Sequence, residues 1–531
     1  MYSIKESLST VSLFLGSIVT TLVVIGARSL LCNFRNRNAP PLSAQLGQNA
    51  PHVTIIRPVK GLEPRLYDCI AASFRQDYPQ DKFSICLCLE NDADPAYPIL
   101  QKVIEDFPTI DARILLEKDD HVLSETVNMG PNPKIRNLSR AYREAKGDIV
   151  WVVDCNVWMA KGVLGRMVDK LMGYRVGGAS KPYKFVHQLP IVVDLTDYST
   201  PFAAEGQSLL DASSEEDHPG DDLIDEEVRN DPRGTIQGGG RIDEMFMATS
   251  HAKFYNAINI LRAAPCAVGK SNMFRKSQLD QATDPAFNPK LDQEKNLPTG
   301  VDYFSHNICE DHLIGEALWD ADFPGYKRHG LVWGDIAVQP VSGMSVKAYL
   351  ARRSRWLRAR KYTVLSATVL EPFTECFLFA TYISYAITTV PLFNDWWGIP
   401  KTWSVMATAW SSITTLWMLV DYLGYRRLHS GLTMEVDEHT PYFARGFTNP
   451  GGVRCRPFLE FLAAWIGREG LAFPVWAYAV IFGNTVNWRG RLFYIHWDTT
   501  VTAVEPRDER VRDVKTPELE RGPSRNKHRV D

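Results

Sequence analysis

Apolar residues run almost unbroken from residue 9 to 31 (STVSLFLGSIVTTLVVIGARSLL). Such a run is long enough to cross the roughly 30 Å hydrocarbon core of a bilayer. A cleavable signal peptide would carry a shorter apolar region and a small-residue cleavage site, so the pattern predicts a retained anchor. Lys5 and Glu6 precede the run, while Arg28, Arg35 and Arg37 follow it. The excess of cations after the run predicts that the following body faces the cytosol. Pro40 and Pro41 begin a short linker.

From residue 53 the periodicity changes. VTIIRPV (53–59), FSICLCL (83–89), ARILLE (112–117) and IVWVVD (149–154) are short, β-rich apolar runs. Between them lie helical patterns: one opening at Pro64 with Leu66, Ile70 and Phe74 on one face, one opening at Pro95 with Leu100, Val103, Ile104 and Phe107. Val163 to Met172 is amphipathic at helical spacing. Strands alternating with helices predict an α/β domain on a mostly parallel sheet, with ligands at the strands' carboxyl ends. Asp94 and Asp154 both fall there.

Residues 205–243 break the rhythm. Their acidic core, EEDHPGDDLIDEE (215–227), has no apolar period and is expected to be a disordered insertion. Beyond residue 372, segments 373–393 and 402–423 have the character of paired membrane spans. The stretch 458–488, interrupted by Arg468-Glu469 and Pro474, is expected to be one long span or, with Arg489 and Arg491 behind it, a hairpin. The charged tail from about residue 505 is expected to be disordered.

Composition narrows the function. The 531 residues carry a net charge of -3, so no basic excess points to nucleic acid. A mean hydropathy of -0.19 argues against a chain made mostly of spans. The 9 Cys form neither CxxC pairs nor Cys/His clusters, which speaks against a zinc site or a disulfide framework.

Four acidic positions precede a basic cluster: Asp94, Asp154, Glu310-Asp311, then Arg352, Arg355 and Trp356. Each has a plain reading. Asp94 before Pro95 can be a helix cap. Asp154 can be a strand-end turn residue, and Glu310-Asp311 can favour a helix dipole. The stretch around Arg352 can be a basic helix on an anionic leaflet. The chemical reading gives the nucleotide to Asp94, a metal and diphosphate to Asp154, and a proton-accepting role to Asp311. It gives the charge on a leaving diphosphate to Arg352 or Arg355, with Trp356 walling the pocket. Asp-Cys-Asn at 154–156 lacks a second carboxylate, although an amide oxygen can still ligate Mg²⁺ or Mn²⁺. Lys134, in NPKIRNL, and His251, in ATSHAKFY, complete the set.

Several stretches together resemble the ceramide glucosyltransferases, or glucosylceramide synthases, of glycosyltransferase family 2, in a fungal-looking form. They are IIRPVKG (55–61), DYPQDKFSICLCLENDADPA (77–96), FPTIDAR (107–113), GPNPKIRNL (130–138), WVVDCN (151–156), ATSHAKFYNA (248–257), Glu310-Asp311, RRSRW (352–356), EPFTEC (371–376) and IGREG (466–470). The resemblance implies a GT-A fold and an inverting transfer of glucose from UDP-glucose to the primary hydroxyl of ceramide. It implies Asp311 as the base, and a Mg²⁺ or Mn²⁺ ion near Asp154. Asp94, Lys134, Asp154, His251, Arg352, Arg355 and Trp356 would bind the donor. The implied organisation is an anchor (1–35), a cytosolic GT-A catalytic domain (50–365) with a basic interfacial helix (345–362), a membrane region (370–490) and a tail (500–531). It also implies a multi-pass protein of the Golgi or endoplasmic reticulum, with membrane lipid rather than nucleic acid as partner. A processive polysaccharide synthase and a catalytically silent membrane scaffold are the alternatives.

Overall fold

The computed structural model describes residues 4–198, 236–291, 297–488 and 490–504. Most of the acidic insertion, the tail from 505 and Arg489 therefore lie outside the described residues. The core is a seven-stranded sheet. Its first four strands are β1 (Val53–Pro58), β2 (Phe83–Leu89), β3 (Ala112–Leu116) and β4 (Ile149–Val153). A small separate hairpin follows, β5 (Tyr174–Arg175) and β6 (Gly178–Ala179). The sheet is completed by β7 (Tyr183–Asp194), β8 (Ser271–Arg275) and β9 (Lys327–Val341), in the order β3-β2-β1-β4-β8-β7-β9. All four strand runs expected from periodicity are present.

Every neighbouring pair in the sheet is parallel except those made by β8, which runs antiparallel to β4 and to β7. Every residue of β1, β2 and β7 is buried, as strands covered on both faces must be. The reversal of β8 has a chemical consequence. Its first residue, Ser271, pairs with Val153, so the chain entering β8 arrives at the edge where β4 delivers Asp154.

The helix Ile4–Asn33 packs along Ala252–Leu261 and Cys376–Thr389. Among the described residues it alone is long and apolar enough to cross a membrane. The segments expected as C-terminal spans are helices: Cys376–Thr389, bent by 54° into Pro391–Trp397, and then Trp403–His429. The 458–488 stretch is a single helix, Phe458–Phe482, with Pro474 inside it. It is followed not by a second membrane segment but by a three-stranded antiparallel sheet, β10 (Thr485–Trp488), β11 (Arg491–Ile495) and β12 (Val501–Ala503). Of the two expected forms, the single long helix is present and the hairpin is not.

The end of the acidic segment also differs from expectation. Residues from 239 begin the helix Gly239–Phe246, and Asp243 there is fully buried. A one-turn π-helix, Met247–His251, joins it to Ala252–Leu261. Such turns often mark functional positions.

Candidate active site

Asp154 follows β4 directly. Its backbone N–H donates to the carbonyl of Lys270 at 3.1 Å, which fixes the carboxylate beside the entry to β8. Lys270 Nζ donates to Asp154 Oδ2 at 2.9 Å and to Asn156 Oδ1 at 3.3 Å. Lys134 Nζ takes the other oxygen, Oδ1, at 3.1 Å. Burial alone would raise the Asp154 pKa, but the two ammonium groups outweigh it and hold the carboxyl well below its usual range.

Lys134 is placed by its helix cap. The side-chain oxygen of Asn132 accepts from Lys134 N at 2.8 Å and from Ile135 N at 3.1 Å, starting the helix Pro133–Arg143. The amide nitrogen of the same Asn132 donates to Glu310 Oε2 at 3.2 Å, and Lys134 Nζ lies 3.2 Å from Glu310 Oε1. Lys134 therefore joins Asp154 to Glu310 and is no surface lysine. Burial opposes its charge, yet Asp154, Glu310 and Asp311 raise its pKa above the ordinary value.

Glu310 and Asp311 open the helix Glu310–Asp320. The buried Glu310 has a raised pKa, first from burial and also from the neighbouring Asp311. Asp311 is half-buried, and among the described residues no hydrogen bond or ion pair engages its carboxylate. It faces Gly269: a Cβ built on that glycine would lie 2.8 Å from Asp311 Oδ2 and 3.1 Å from Lys134 Nζ. Gly269 thus lies against Asp311 and Lys134, and Lys134 in turn holds Asp154.

Asp94 stands to one side. It ends the loop after β2, where its carboxylate accepts from Ala96 N at 2.9 Å and from Gly61 N at 3.0 Å. These bonds tie down the Gly61 loop after β1 but do not cap a helix as the sequence suggested: the helix Tyr97–Asp106 begins after Ala96, with no side-chain cap bond. Two strand spacings, roughly 10 Å, separate the ends of β2 and β4 on this edge.

His251 ends the π-turn, stacked on Tyr255 at 5.2 Å and near Phe246 at 5.9 Å. Its Nδ1 is buried and meets no partner among the described residues. Burial, with Arg353 and Arg360 nearby, lowers its pKa to about 3, so the ring is neutral near pH 7.

The helix Val346–Arg360 brings Arg352 over Trp356 at 4.6 Å, as the spacing predicts. Arg352 is engaged within the protein. Its Nε faces the buried Asp243 at 3.2 Å, and its Nη2 donates to Gln339 at 3.0 Å. Arg353 pairs with Glu371 at 2.9 Å, Arg358 donates to the Thr485 carbonyl at 3.0 Å, and Arg360 pairs with Glu371. Arg352, Arg353, Arg358 and Arg360 of this helix thus pair within the protein, while Lys347 near its start is exposed. Arg355 sits on the face shared by Arg352 and Trp356.

The C-terminal sheet braces the acidic step from outside. Ile308 packs with Val486, Phe493, Ile495 and Val501, and Asn307 donates to Thr499 O at 3.1 Å and Oγ1 at 2.9 Å.

Both oxygens of Asp154 and the Asn156 amide oxygen receive Lys134 or Lys270 ammonium groups. Three carboxylates (Asp154, Glu310, Asp311) meet two ammonium groups (Lys134, Lys270), leaving one net negative charge. Among the described residues no group of three or more His, Cys, Asp or Glu is set to hold a metal. A metal here would rely on Asp154, the Asn156 amide and ligand phosphate oxygens, a set that Mg²⁺ tolerates. Lys270 and Gly269 were not singled out from sequence, and Glu310 was noted there without a role of its own beside Asp311. Lys270 sits in an unpatterned loop, and only its place before a reversed strand gives it meaning.

Comparison with known proteins gives a consistent picture. The model of glycosyl transferase family 21 matches residues 12–195 and 232–501, family 21 rather than the family 2 named above. The chain is 82% identical to a ceramide glucosyltransferase of Gibberella zeae, over 100% of both chains. It is 47% identical to a ceramide glucosyltransferase of Pyricularia oryzae, over 92% of this chain and 93% of that one. A solved mannosyltransferase from Pyrobaculum calidifontis, in complex with GDP-Man and Mn²⁺, covers 79% of this chain and 99% of its own at 14% identity. Its TM-score of 0.36 is too low to bear on this site.

Proposed function

We infer the reaction from one premise: the chain belongs to glycosyl transferase family 21. It is a ceramide glucosyltransferase, and its 82% identity to such an enzyme over full length supports that activity. The finer reading is an inverting transfer from UDP-glucose on a GT-A fold. The observation that carries it is the meeting of Asp154, Lys134 and Asp311, with Gly269 against the last two, at the carboxyl edge of the sheet.

In this reading Asp311 accepts the proton of the ceramide primary hydroxyl, since its lone pairs are not engaged by the described residues. The hydroxyl oxygen bonds to the anomeric carbon from the face opposite UDP. The bond from that carbon to the β-phosphate oxygen breaks, and its electron pair leaves with UDP. Lys270 and Lys134 carry the positive charge nearest that diphosphate, a task the sequence had suggested for Arg352 or Arg355. Arg352 instead braces Trp356 through Asp243 and Gln339. A Mg²⁺ or Mn²⁺ ion held by Asp154 and Asn156 would add electrostatic stabilisation of the leaving group. Glu310 keeps Lys134 in place, and Asp94 shapes the Gly61 loop on the nucleotide side.

Membrane attachment follows from the helix Ile4–Asn33, whose Ile4, Leu8, Val11 and Phe14 are exposed. We place the helices Cys376–Thr389, Trp403–His429 and Phe458–Phe482 in the same bilayer, because Leu416, Leu419, Leu423, Phe473, Ile481 and Phe482 are also exposed. The catalytic body faces the cytosol in a Golgi or endoplasmic reticulum membrane.

The test uses purified full-length protein with radiolabelled UDP-glucose and ceramide. Wild type forms a lipid carrying one glucose, and Asp311→Asn loses about 10²- to 10⁴-fold in kcat while still binding UDP-glucose. Equal turnover in both would overturn the base assignment. A polymeric product would mean a polysaccharide synthase, and no transfer to any acceptor would mean a scaffold.

A further inference from the structure

The helix Phe458–Phe482 has 25 residues, about 37 Å at a rise of roughly 1.5 Å each, so it is long enough to cross a bilayer. Both of its ends, however, are held by the same catalytic body. Just before it, Arg456 donates to the Asp194 carbonyl at 2.9 Å and pairs with Glu244 at 2.9 Å. Just after it, the Thr485 carbonyl accepts from Arg358 at 3.0 Å, and Val486 packs with Ile308. Between its ends the helix stays on that body. Val475 and Ala479 pack on Leu357, and Trp476 Nε1 donates to the Thr368 carbonyl at 2.7 Å. A helix that crossed the bilayer would carry one end away to the opposite side.

Its outer face has one character along its whole length. Leu459, Ala463, Ile466, Phe473, Ala477 and Ile481 are exposed at helical spacing. The charged residues of the helix lie elsewhere. Arg468 pairs with Glu375 and Glu469 in the interior, and Glu460 pairs with Arg454 at 3.5 Å. This inverts a water-facing helix, whose polar side points outward. The short helix Leu365–Leu370, bonded to Trp476 through Thr368, widens the stripe with exposed Leu365, Val369 and Leu370.

The neighbouring helices identify what covers the stripe. Cys376–Thr389 starts against the middle of Phe458–Phe482, where Cys376 N donates to Glu469 Oε2 at 3.0 Å. Trp403–His429 returns to the same level, where Asp421 accepts from Trp465 Nε1 at 2.9 Å. At the far end of that pair Trp396, Trp397 and Trp403 are exposed, as aromatic residues at a membrane–water interface are. Residues 403 to 421, at roughly 1.5 Å each, climb about 27 Å, close to the roughly 30 Å of a hydrocarbon core. One interface therefore falls at the tryptophans and the other at the level of Phe458–Phe482.

We propose that Phe458–Phe482 lies flat in the cytosolic leaflet and does not span, its outer stripe sunk among the lipid head groups and first chain carbons. The proposal rests on the membrane placement above and adds depth and orientation. It also gives the helix a task. β10 to β12 follow it directly and brace Asn307 and Ile308, just ahead of Glu310-Asp311. The acidic step is thereby held at the leaflet surface, where the hydroxyl of an embedded lipid sits.

The test uses the full chain in phosphatidylcholine vesicles. A fluorescent amino acid replaces Leu459, Ile466, Phe473 or Ile481 singly and, for comparison, Trp403, Ser412 or Leu419 of the helix Trp403–His429. Quenching is read with lipids carrying a nitroxide either near the head group or near the chain end. All four sites on Phe458–Phe482 should be quenched more by the head-group label. Ser412 should be quenched more by the chain-end label, with Trp403 and Leu419 shallower. A chain-end maximum at Ile466 or Phe473, between shallow values at Leu459 and Ile481, would mean a span and overturn the proposal. No quenching at the four sites while Ser412 is quenched would mean that a protein surface, such as a second copy, covers the stripe, and would overturn it too. No quenching on either helix would overturn the membrane placement on which the proposal rests.

Discussion

Lys270 Nζ sits 2.9 Å from Asp154 Oδ2, across the junction of the last parallel strand of one half-sheet and the single reversed strand. The pairing exists because β8 runs backwards. A parallel strand in its place would have brought its carboxyl end, not its entry, to this edge. The ammonium therefore belongs to the architecture of the sheet.

The first prediction concerns that ammonium. Lys270→Met keeps the length of the side chain and removes its charge, leaving Asp154 paired with Lys134 alone. Loss of one preorganised cation at a developing negative charge costs about 100-fold in kcat. Steady-state assays with UDP-glucose and ceramide should show that fall. The same assays on Arg352→Met, whose cation is turned to Asp243 and Gln339, should show a smaller fall in kcat and a lower thermal midpoint.

The second prediction follows from His251. Its pKa is lowered to about 3 in the folded protein, by burial first and by Arg353 and Arg360 next, against 6.5 unfolded. The unfolded chain therefore binds this proton before the folded one does. The contribution of the neutral ring is fully present above pH 6.5 and is lost as pH falls from there toward 3. Thermal midpoints measured between pH 7 and 5 should decline, at up to about 1 kcal/mol per pH unit from this residue, below the full single-proton slope because the ring is partly exposed. His251→Phe keeps the stack on Tyr255 and should flatten that decline. An unchanged slope in the variant would assign the acid sensitivity elsewhere.

Much of this was legible in the sequence, and the reasons differ by element. β1 to β4 announce themselves as short apolar runs because both faces of the sheet are covered. Asp154 and Asp311 are legible because each ends or begins a regular element, where a carboxylate needs a partner. Lys270 was not, since its loop (266–270) has no period and its role depends on strand direction, which no local pattern encodes. The inward turn of the Arg352–Arg360 cations was missed for a similar reason. Their partners, Asp243, Gln339 and Glu371, come from three separate segments. The C-terminal sheet did carry a signal. Polar and apolar residues alternate in TVNW (485–488) before Gly490, whose φ of +76° suits a tight turn, and the apolar run LFYI (492–495) follows it. The neighbouring apolar helix drew that stretch into a membrane reading instead. EPFTEC and IGREG were visible only as resemblances, because an ion pair between residues 375 and 468 leaves no periodic trace.

The last prediction tests whether Asp154, Lys134 and Asp311 form one reacting unit. Gly269 lies against Asp311 and Lys134, and Lys134 holds Asp154. A Cβ there would lie 2.8 Å from Asp311 Oδ2, 3.1 Å from Asp311 Cγ and 3.1 Å from Lys134 Nζ. The first distance is shorter than a carbon and an oxygen tolerate, so Gly269→Ala must displace the Asp311 carboxylate, the Lys134 ammonium or both. The carboxylate sits on the first turn of the helix Glu310–Asp320, whose backbone is held from behind by Asn307 on Thr499 and by Ile308 in the C-terminal sheet. The helix therefore resists moving, and the side chain swings instead. A shift of about 1 Å in a reacting group costs on the order of 100-fold in rate. Gly269→Ala should then fall about 100-fold in kcat, with a melting temperature close to wild type because no core contact is lost. If the glycine acts through the base, Asp311→Asn combined with Gly269→Ala should be little worse than Asp311→Asn alone. Full additivity of the two losses would mean that the glycine acts on something other than the base.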